Sequence, residues 1–258
     1  MGVVRIAAVI PAYDEGDRLA GLLHAWADQA LSRSSVVATA FVVDDGSRAE
    51  DETRQRRAAA EAAAMLDSAG APHRVEYVRV AKNRGKGASI RWGWSHADAD
   101  TAWFAFIDAD GAVPAREFWR LADRLAEIEA DVVCGSRIRM AGRSVERSLF
   151  RHLQGRTFAT IVEVLFHLGF YDTQCGLKFV RASHVRAHLP RLQENRWLLD
   201  IELLSLLRAD GARCVEVPID CHQRGASSLV FGLDAFRMIV HLVRLRSRLA
   251  AGAPGSQR

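Results

Sequence analysis

"AWFAFIDADG", residues 102–111, is an apolar run of strand length that ends in two aspartates two positions apart. Bounded by turn residues, such a run reads as a fully buried strand over 102–107, with Asp108, Asp110 and Gly111 at the turn where it leaves the sheet. Four comparable runs, 3–10, 36–43, 74–80 and 131–135, alternate with helical patterns. Leu19, Leu22, Leu23 and Trp26 mark one helical face, and Ser47 is the expected cap of an Ala-rich helix that stops near Gly70 and Pro72. This alternation predicts an α/β fold: one mostly parallel mixed sheet flanked by helices. Further on, the pattern predicts a helical stretch over 145–169, a strand at 177–180, a helix at 198–209, a strand at 214–217 and a last helix over 233–249.

At 258 residues the chain suits one large domain. Lys and Arg number 35 against 31 Asp and Glu, a net charge of +4, with the basic residues weighted toward the final third. That asymmetry suggests an anionic partner. Nucleic acid is not expected, because zinc-ligand spacing, an aromatic single-strand platform and a basic recognition helix are all missing. Cys134, Cys175, Cys214 and Cys221 form no CxxC pair, which fits a reducing cytoplasm. The opening "VVRIAAVIP" reads as a strand and not a signal peptide, and Ile6 stands where myristoylation after Gly2 would want Ser or Thr. No apolar run reaches the length of a membrane span. In the last helix Arg237, His241, Arg244 and Arg248 form one stripe, with Phe236, Ile239, Val240 and Val243 away from it. That is the pattern of an amphipathic helix on an anionic membrane surface, although a helix packed on the sheet with a solvated basic stripe has the same pattern. The expected division is a domain over 1–232, the basic helix over 233–250 and a disordered tail over 251–258.

In open sheets ligands bind beyond the carboxyl ends of the strands, and each polar motif falls at such an end. "IPAYDEGDRL" sets Tyr13, Asp14 and Glu15 after the first strand, and "VVDDGS" sets Asp44 and Asp45 after the second. Singly, either is a turn followed by a helix cap. Together, the carboxylates can accept from ribose hydroxyls and base N–H groups, while Tyr13 offers a flat surface. "KNRGKG" follows the third strand, where Gly85 and Gly87 permit close backbone approach at an anion-favouring helix start. Lys82, Arg84 and Lys86 are either phosphate contacts or a solvated cluster. The loop matches neither GxxxxGK[ST] nor GxGxxG, which disfavours a nucleoside triphosphatase and a Rossmann dehydrogenase. Asp108 and Asp110 supply the hard oxygens that Mg²⁺ or Mn²⁺ takes while bridging a diphosphate.

In this order, "IPAYDE", "DDGS", "NRGKG" and "DADG", followed by "GSR" (135–137), "DTQCGLKFV" (172–180) and "WLLDIELL" (197–204), resemble glycosyltransferase family 2 over nearly the whole chain. The later motifs look most like the dolichyl-phosphate β-glucosyltransferases and related polyprenyl-phosphate glycosyltransferases. The resemblance implies a single GT-A type nucleotide-binding domain and metal-dependent, inverting transfer of a hexose, glucose favoured, from a donor such as UDP-glucose to a polyprenyl phosphate. It implies a peripheral enzyme on the cytoplasmic membrane face. Mannose synthases of this kind carry Gln shortly after the DxD; Ala112 here points to the glucosyl branch. By resemblance the donor site comprises Pro11, Tyr13, Glu15, Asp44, Asp45, Lys82, Asn83, Gly85, Lys86, Gly87, Asp108 and Asp110, with Asp108 and Asp110 on the metal. Arg137, Arg151 and Arg224 would grip the acceptor phosphate. Asp110, Asp172 and Asp200 are the catalytic candidates, the last two as bases or acceptor-side carboxylates. Glu202 reads as an ordinary helix charge facing Arg208 or solvent. Near the end, where glucosyl enzymes show Gly-Ser-Lys, this chain has Ser227 and Ser228. Two other readings remain: a family member with a soluble or different lipid acceptor, and a catalytically silent nucleotide-binding module.

Overall fold

The structure, a computed structural model, describes residues 2–138, 140–146, 149–222 and 233–251, except the side chains of 149–152 and 233–237. Seven strands form the main sheet: β1 (Val4–Ala12), β2 (Val36–Asp44), β3 (Arg74–Arg79), β4 (Trp103–Ile107), β5 (Val132–Ser136), β7 (Leu177–Arg181) and β8 (Cys214–Pro218). Their order is β3-β2-β1-β4-β7-β5-β8. β7 runs antiparallel to both its neighbours, and all other pairings are parallel, so the sheet is mixed and mostly parallel as expected.

The apolar runs become central strands because both faces of the sheet are covered. Along β1, Ile6, Ala8 and Ile10 join one core layer while Ala7 and Val9 join the other. The first layer lies under α1 (Gly16–Ala30), α2 (Ala49–Ser68) and α4 (Ala115–Ala122). The second is capped by α3 (Lys86–Ser95), α5 (Leu149–Phe166), α6 (Ala182–His188), α7 (Leu199–Ala209) and α8 (Leu233–Ala251). Gly93 lets α3 close on β1, since a Cβ there would lie 2.4 Å from Val9 Cγ2.

Three local expectations change. β1 runs on past Pro11 to Ala12, because its pairing with β4 has already ended at Val9, so Pro11 interrupts no ladder on that side. Ser47 does not cap α2: the N-cap is Arg48, and the Ser47 hydroxyl accepts from the Asp14 backbone N–H at 2.9 Å and from Gln55 Nε2 at 3.0 Å. The helical stretch expected from 145 begins instead with β6 (Val145–Glu146), which pairs in parallel with β9 (Cys221–His222).

α8 packs against α5 and α7 through buried Leu242 and Leu245. Of the residues expected on its free apolar face, Ile239 and Val243 are 40% and 48% exposed. Of its basic stripe, His241 and Arg244 are exposed, but Arg248 is drawn into the protein, with Nη2 2.7 Å from Glu202 and 3.0 Å from Glu194. Glu202 is therefore no solvated helix charge: it is 1% exposed, and it also accepts the backbone N–H groups of Gln193 and Glu194. Among the described residues no helix is long and apolar enough to cross a membrane.

Candidate active site

The ends of β1, β2, β3 and β4 bring the first four motifs together. Asp44, fully buried, accepts from the Tyr77 hydroxyl at 2.7 Å and the Ser47 N–H at 2.9 Å. Asp45 takes the N–H groups of Arg84 and Gly85 at 2.8 and 2.6 Å. Both aspartates thus spend these contacts on the loops themselves, where a nucleoside was the expected partner. Gly46, at φ +77°, lets the two loops touch, since a Cβ would lie 2.9 Å from the Asn83 nitrogen. Lys82 and Asn83 are exposed, Pro11 is partly buried, and Tyr13 presents an exposed ring at the mouth.

Asp108 lies 2.6 Å from Lys86 Nζ. Burial opposes its charge, but the Lys86 ammonium, with help from Lys178 and Arg137, holds it below the usual carboxylate range. It is seated tightly, because a Cβ on Gly176 would fall 2.2 Å from Asp108 Oδ2. Asp110 accepts the Ala112 N–H at 2.9 Å, and burial plus the charge on Asp108 push its carboxyl up. Glu15 is pushed up to about 7 by burial, with Asp110, Asp108 and Asp14 adding to the shift and Arg18, 2.7 Å away, opposing it. This corner thus carries more negative charge than its own cations offset. Among the described residues no three His, Cys, Asp or Glu side chains converge as a complete metal cage. The donor set nevertheless fits a hard dication completed by diphosphate oxygens and water, the usual way Mg²⁺ is held.

On the far side of β4 the candidate acceptor residues pair with one another. Arg137 Nε and Nη2 donate to Asp172 at 2.6 and 2.7 Å, and its backbone N–H adds a third bond at 3.1 Å. Although burial opposes its charge, Arg137 keeps Asp172 below the usual carboxylate range, which makes it a poor base. Glu216 on β8, which sequence reasoning missed, accepts the N–H groups of Tyr171 and Asp172 at 2.6 and 2.9 Å. Asp200, 4% exposed, lies 2.7 Å from Lys178 Nζ. A base needs access to the proton it takes, and this carboxylate is enclosed and already paired.

Lys178 was also missed. It sits inside the apolar "GLKFV", which reads as an ordinary strand. It is completely buried, donates to the Cys175 carbonyl at 2.8 Å and lies 5.2 Å from the Phe106 ring centre. Burial alone would push its ammonium down, yet Asp200 holds it above the ordinary lysine range. Cys175 is packed, as expected, its thiol pushed up to about 12 by burial.

A shallow cleft opens beside Arg137 and Asp172, walled by α5 and residues 171–174. Arg156 lies over the Tyr171 ring at 3.8 Å and donates to the Tyr171 carbonyl at 3.0 Å. Along the same wall the buried Thr173 hydroxyl and the Gln174 amide nitrogen have no hydrogen-bond partner among the described residues. Arg224 and the Arg151 side chain lie outside the described residues.

The chain is similar to known proteins over most of its length. The dolichyl-phosphate beta-glucosyltransferase of Saccharomyces cerevisiae is 28% identical over 268 residues, covering 96% of this chain and 75% of its own. The Homo sapiens protein of the same name is 28% identical over 263 residues, covering 96% and 77%. Among solved structures, glucosyl-3-phosphoglycerate synthase from Mycobacterium tuberculosis with uridine diphosphate superposes with a TM-score of 0.64 at 16% identity, over 99% of this chain and 82% of that one. The same enzyme with Mn²⁺, uridine diphosphate and glucosyl-3-phosphoglycerate gives a TM-score of 0.61. The model of the family described as Glycosyl transferase family 2 matches residues 7–186, from within β1 to within α6. That span is more than half of the chain and takes in the strand-end loops, the DxD turn and the Arg137 cleft, so the chain belongs to glycosyltransferase family 2.

Proposed function

We propose that this enzyme is an inverting hexosyltransferase that moves glucose from UDP-glucose to a polyprenyl phosphate of the dolichyl type. The observation that carries this reading is the juxtaposition of an electronegative, oxygen-donor corner, Glu15, Asp108 and Asp110, with an arginine-walled cleft within electrostatic reach of it. Relatives named dolichyl-phosphate beta-glucosyltransferase support the choice of sugar and acceptor.

Asp110, with Asp108, would hold Mg²⁺ or Mn²⁺, which offsets the charge developing on the departing diphosphate. Lys86, between the glycine loop and Asp108, is placed to meet the same diphosphate. Tyr13 lies under the base, with Asp44 and Asp45 shaping the loops that frame it. An oxygen of the acceptor phosphate attacks the anomeric carbon from the face opposite the diphosphate, and the breaking C–O bond leaves its electron pair on UDP. A phosphate is ionised near neutrality, so the reaction needs alignment more than a base. Asp172 therefore serves by holding Arg137, and Asp200 by holding Lys178. Arg137 and Arg156 supply positive charge at the cleft, and Thr173 and Gln174 supply unspent polar groups for the phosphate oxygens. Arg151 and Arg224 complete the acceptor side in this reading.

The prenyl chain requires contact with lipid. Exposed apolar side chains on α5 (Leu153 and Val164, 66% and 64% exposed) and on α8 (Ile239 and Val243) support peripheral attachment, which we assign to the cytoplasmic face.

Radiolabelled UDP-glucose with dolichyl phosphate and Mg²⁺ tests the reading. The expected product is a chloroform-extractable, acid-labile labelled lipid, lost on chelation of the metal and reduced at least a hundredfold in Asp110→Asn. Label appearing only in a water-soluble glycoside would assign a soluble acceptor instead. Binding of UDP without transfer to any acceptor would leave a silent nucleotide-binding module.

A further inference from the structure

Four features link the end of the last helix to the glycine loop. Arg248 on α8 bridges Glu194 and Glu202. The Glu202 carboxylate in turn accepts the N–H groups of Gln193 and Glu194 at 2.8–3.1 Å, so one buried group fixes both the guanidinium and the backbone at 193–194. The next residues form the wall against which the glycine loop is built. The Asn195 carbonyl accepts the Ala88 N–H at 3.0 Å, and Arg91 donates to the Leu192 carbonyl and the Asn195 side chain. The contact is tight enough to dictate glycine. A Cβ on Gly85 would lie 2.4 Å from the Asn195 carbonyl oxygen, and one on Gly87 would lie 2.7 Å from those of Glu194 and Arg196. Between these glycines stands Lys86, paired with Asp108.

We infer that Arg248 is a positioning residue for the donor site: by clamping Glu202 and Glu194 it holds 193–196 as a rigid backing, and that backing sets where the Gly85–Gly87 backbone and Lys86 meet the donor diphosphate. This rests on the reading that the 82–87 loop binds the donor. The opposite side of the loop is already fixed by Asp45, which takes the Arg84 and Gly85 N–H groups. Loosening the backing therefore leaves the loop held on one side only. Burial makes the contact matter. Glu202 is 1% exposed, and without its guanidinium partner it is a buried charge held by backbone N–H groups alone. The arrangement also couples the helix assigned here to the lipid surface with a loop on the donor side, through hydrogen bonds joined by the backbone at 193–195.

The test is calorimetric titration of the full-length enzyme with UDP and Mn²⁺. Arg248→Gln should weaken UDP binding about tenfold, within the range of couplings carried between separate sites. The KM for UDP-glucose should rise by a similar factor, while kcat at saturating donor and the KM for dolichyl phosphate stay within about twofold. Arg248→Lys, which keeps the charge but not the planar guanidinium whose Nη2 reaches both carboxylates, should fall between the two, and it supplies the comparison should the Gln variant fold poorly. Hydrogen exchange at the Ala88, Gln193 and Glu194 amides should speed up in the Gln variant. If both variants bind UDP as tightly as the unaltered enzyme, Arg248 is no more than a helix anchor and the inference falls alone. If the unaltered enzyme fails to bind UDP, the donor reading falls and takes this inference with it.

Discussion

At the scale of single residues, Glu15 shows most directly how burial converts into a measurable pH dependence. Folding moves its carboxyl from an ordinary 4.5 to about 7, chiefly by desolvation and then by the neighbouring aspartates. Between those values the folded chain binds the proton that the unfolded chain has lost, so this contribution to stability is fully present below 4.5 and disappears as the pH rises through about 7. Replacing Glu15 with Gln removes the titrating group while keeping its shape. Melting temperatures of the two proteins should therefore diverge as the pH rises across this window, the Gln variant gaining relative to the unaltered enzyme, and the gap should level off above about 7. Parallel melting curves would show that Glu15 does not titrate there. Asp45 and Asp110 are shifted in the same direction and are present in both proteins, so the difference reports Glu15 together with its coupling to Asp110.

At the scale of elements, the parts legible in the sequence are those governed by period and by the chemistry of strand ends. The expected runs became β1, β2, β3, β4 and β5 with shifts of a residue or two at their ends; β1, β2, β4 and β5 are largely apolar because both faces are covered, whereas β3, at the sheet edge, has no buried residue. The glycine loop and DxD turn lie at the carboxyl edge for the same reason. Partners distant in sequence were not legible. Nothing about Arg248 in isolation distinguishes a solvated stripe from a clamp 46 residues away on Glu202, nor does Ser47 announce that it faces Asp14 and not a helix start. This bears on the membrane contact proposed for α8. With Arg248 engaged internally, the outward surface among the described side chains of the expected stripe and face consists of Ile239, Val243, His241 and Arg244, and the Arg237 side chain lies outside the described residues. Vesicles containing anionic lipid should bind the enzyme at about 0.05 M salt and release much of it by about 0.5 M, because surface attraction is screened. Ile239→Asp with Val243→Asp should abolish binding at either salt without lowering the melting temperature, since both side chains are exposed. Retention of vesicle binding in that double variant would move the membrane contact elsewhere.

At the scale of the whole molecule, the sheet joins two unlike halves. The parallel set β3-β2-β1-β4 carries the carboxylate-rich loops; Arg137 follows β5 and Glu216 lies on β8; antiparallel β7 lies between. Lys178 occupies the middle of that junction, wholly buried against Phe106 of β4 and paired with Asp200 of α7. A lysine here needs a partner, because an unpaired buried ammonium is far more costly than the pair. The two accounts of Asp200 then differ in a measurable way. If it is the structural partner, Asp200→Asn should lower unfolding free energy in urea by about 3–5 kcal/mol, the usual cost of breaking a buried ion pair from one side. Lys178→Met combined with Asp200→Leu should recover much of that loss, because two apolar groups of similar volume leave no charge stranded. If Asp200 is instead a catalytic base, Asp200→Asn should leave the urea midpoint nearly unchanged and abolish turnover. The enclosure of Asp200 and its 2.7 Å contact with Lys178 favour the first outcome: a single substitution at the junction should loosen both halves together, and turnover should fall only as far as the folded population does.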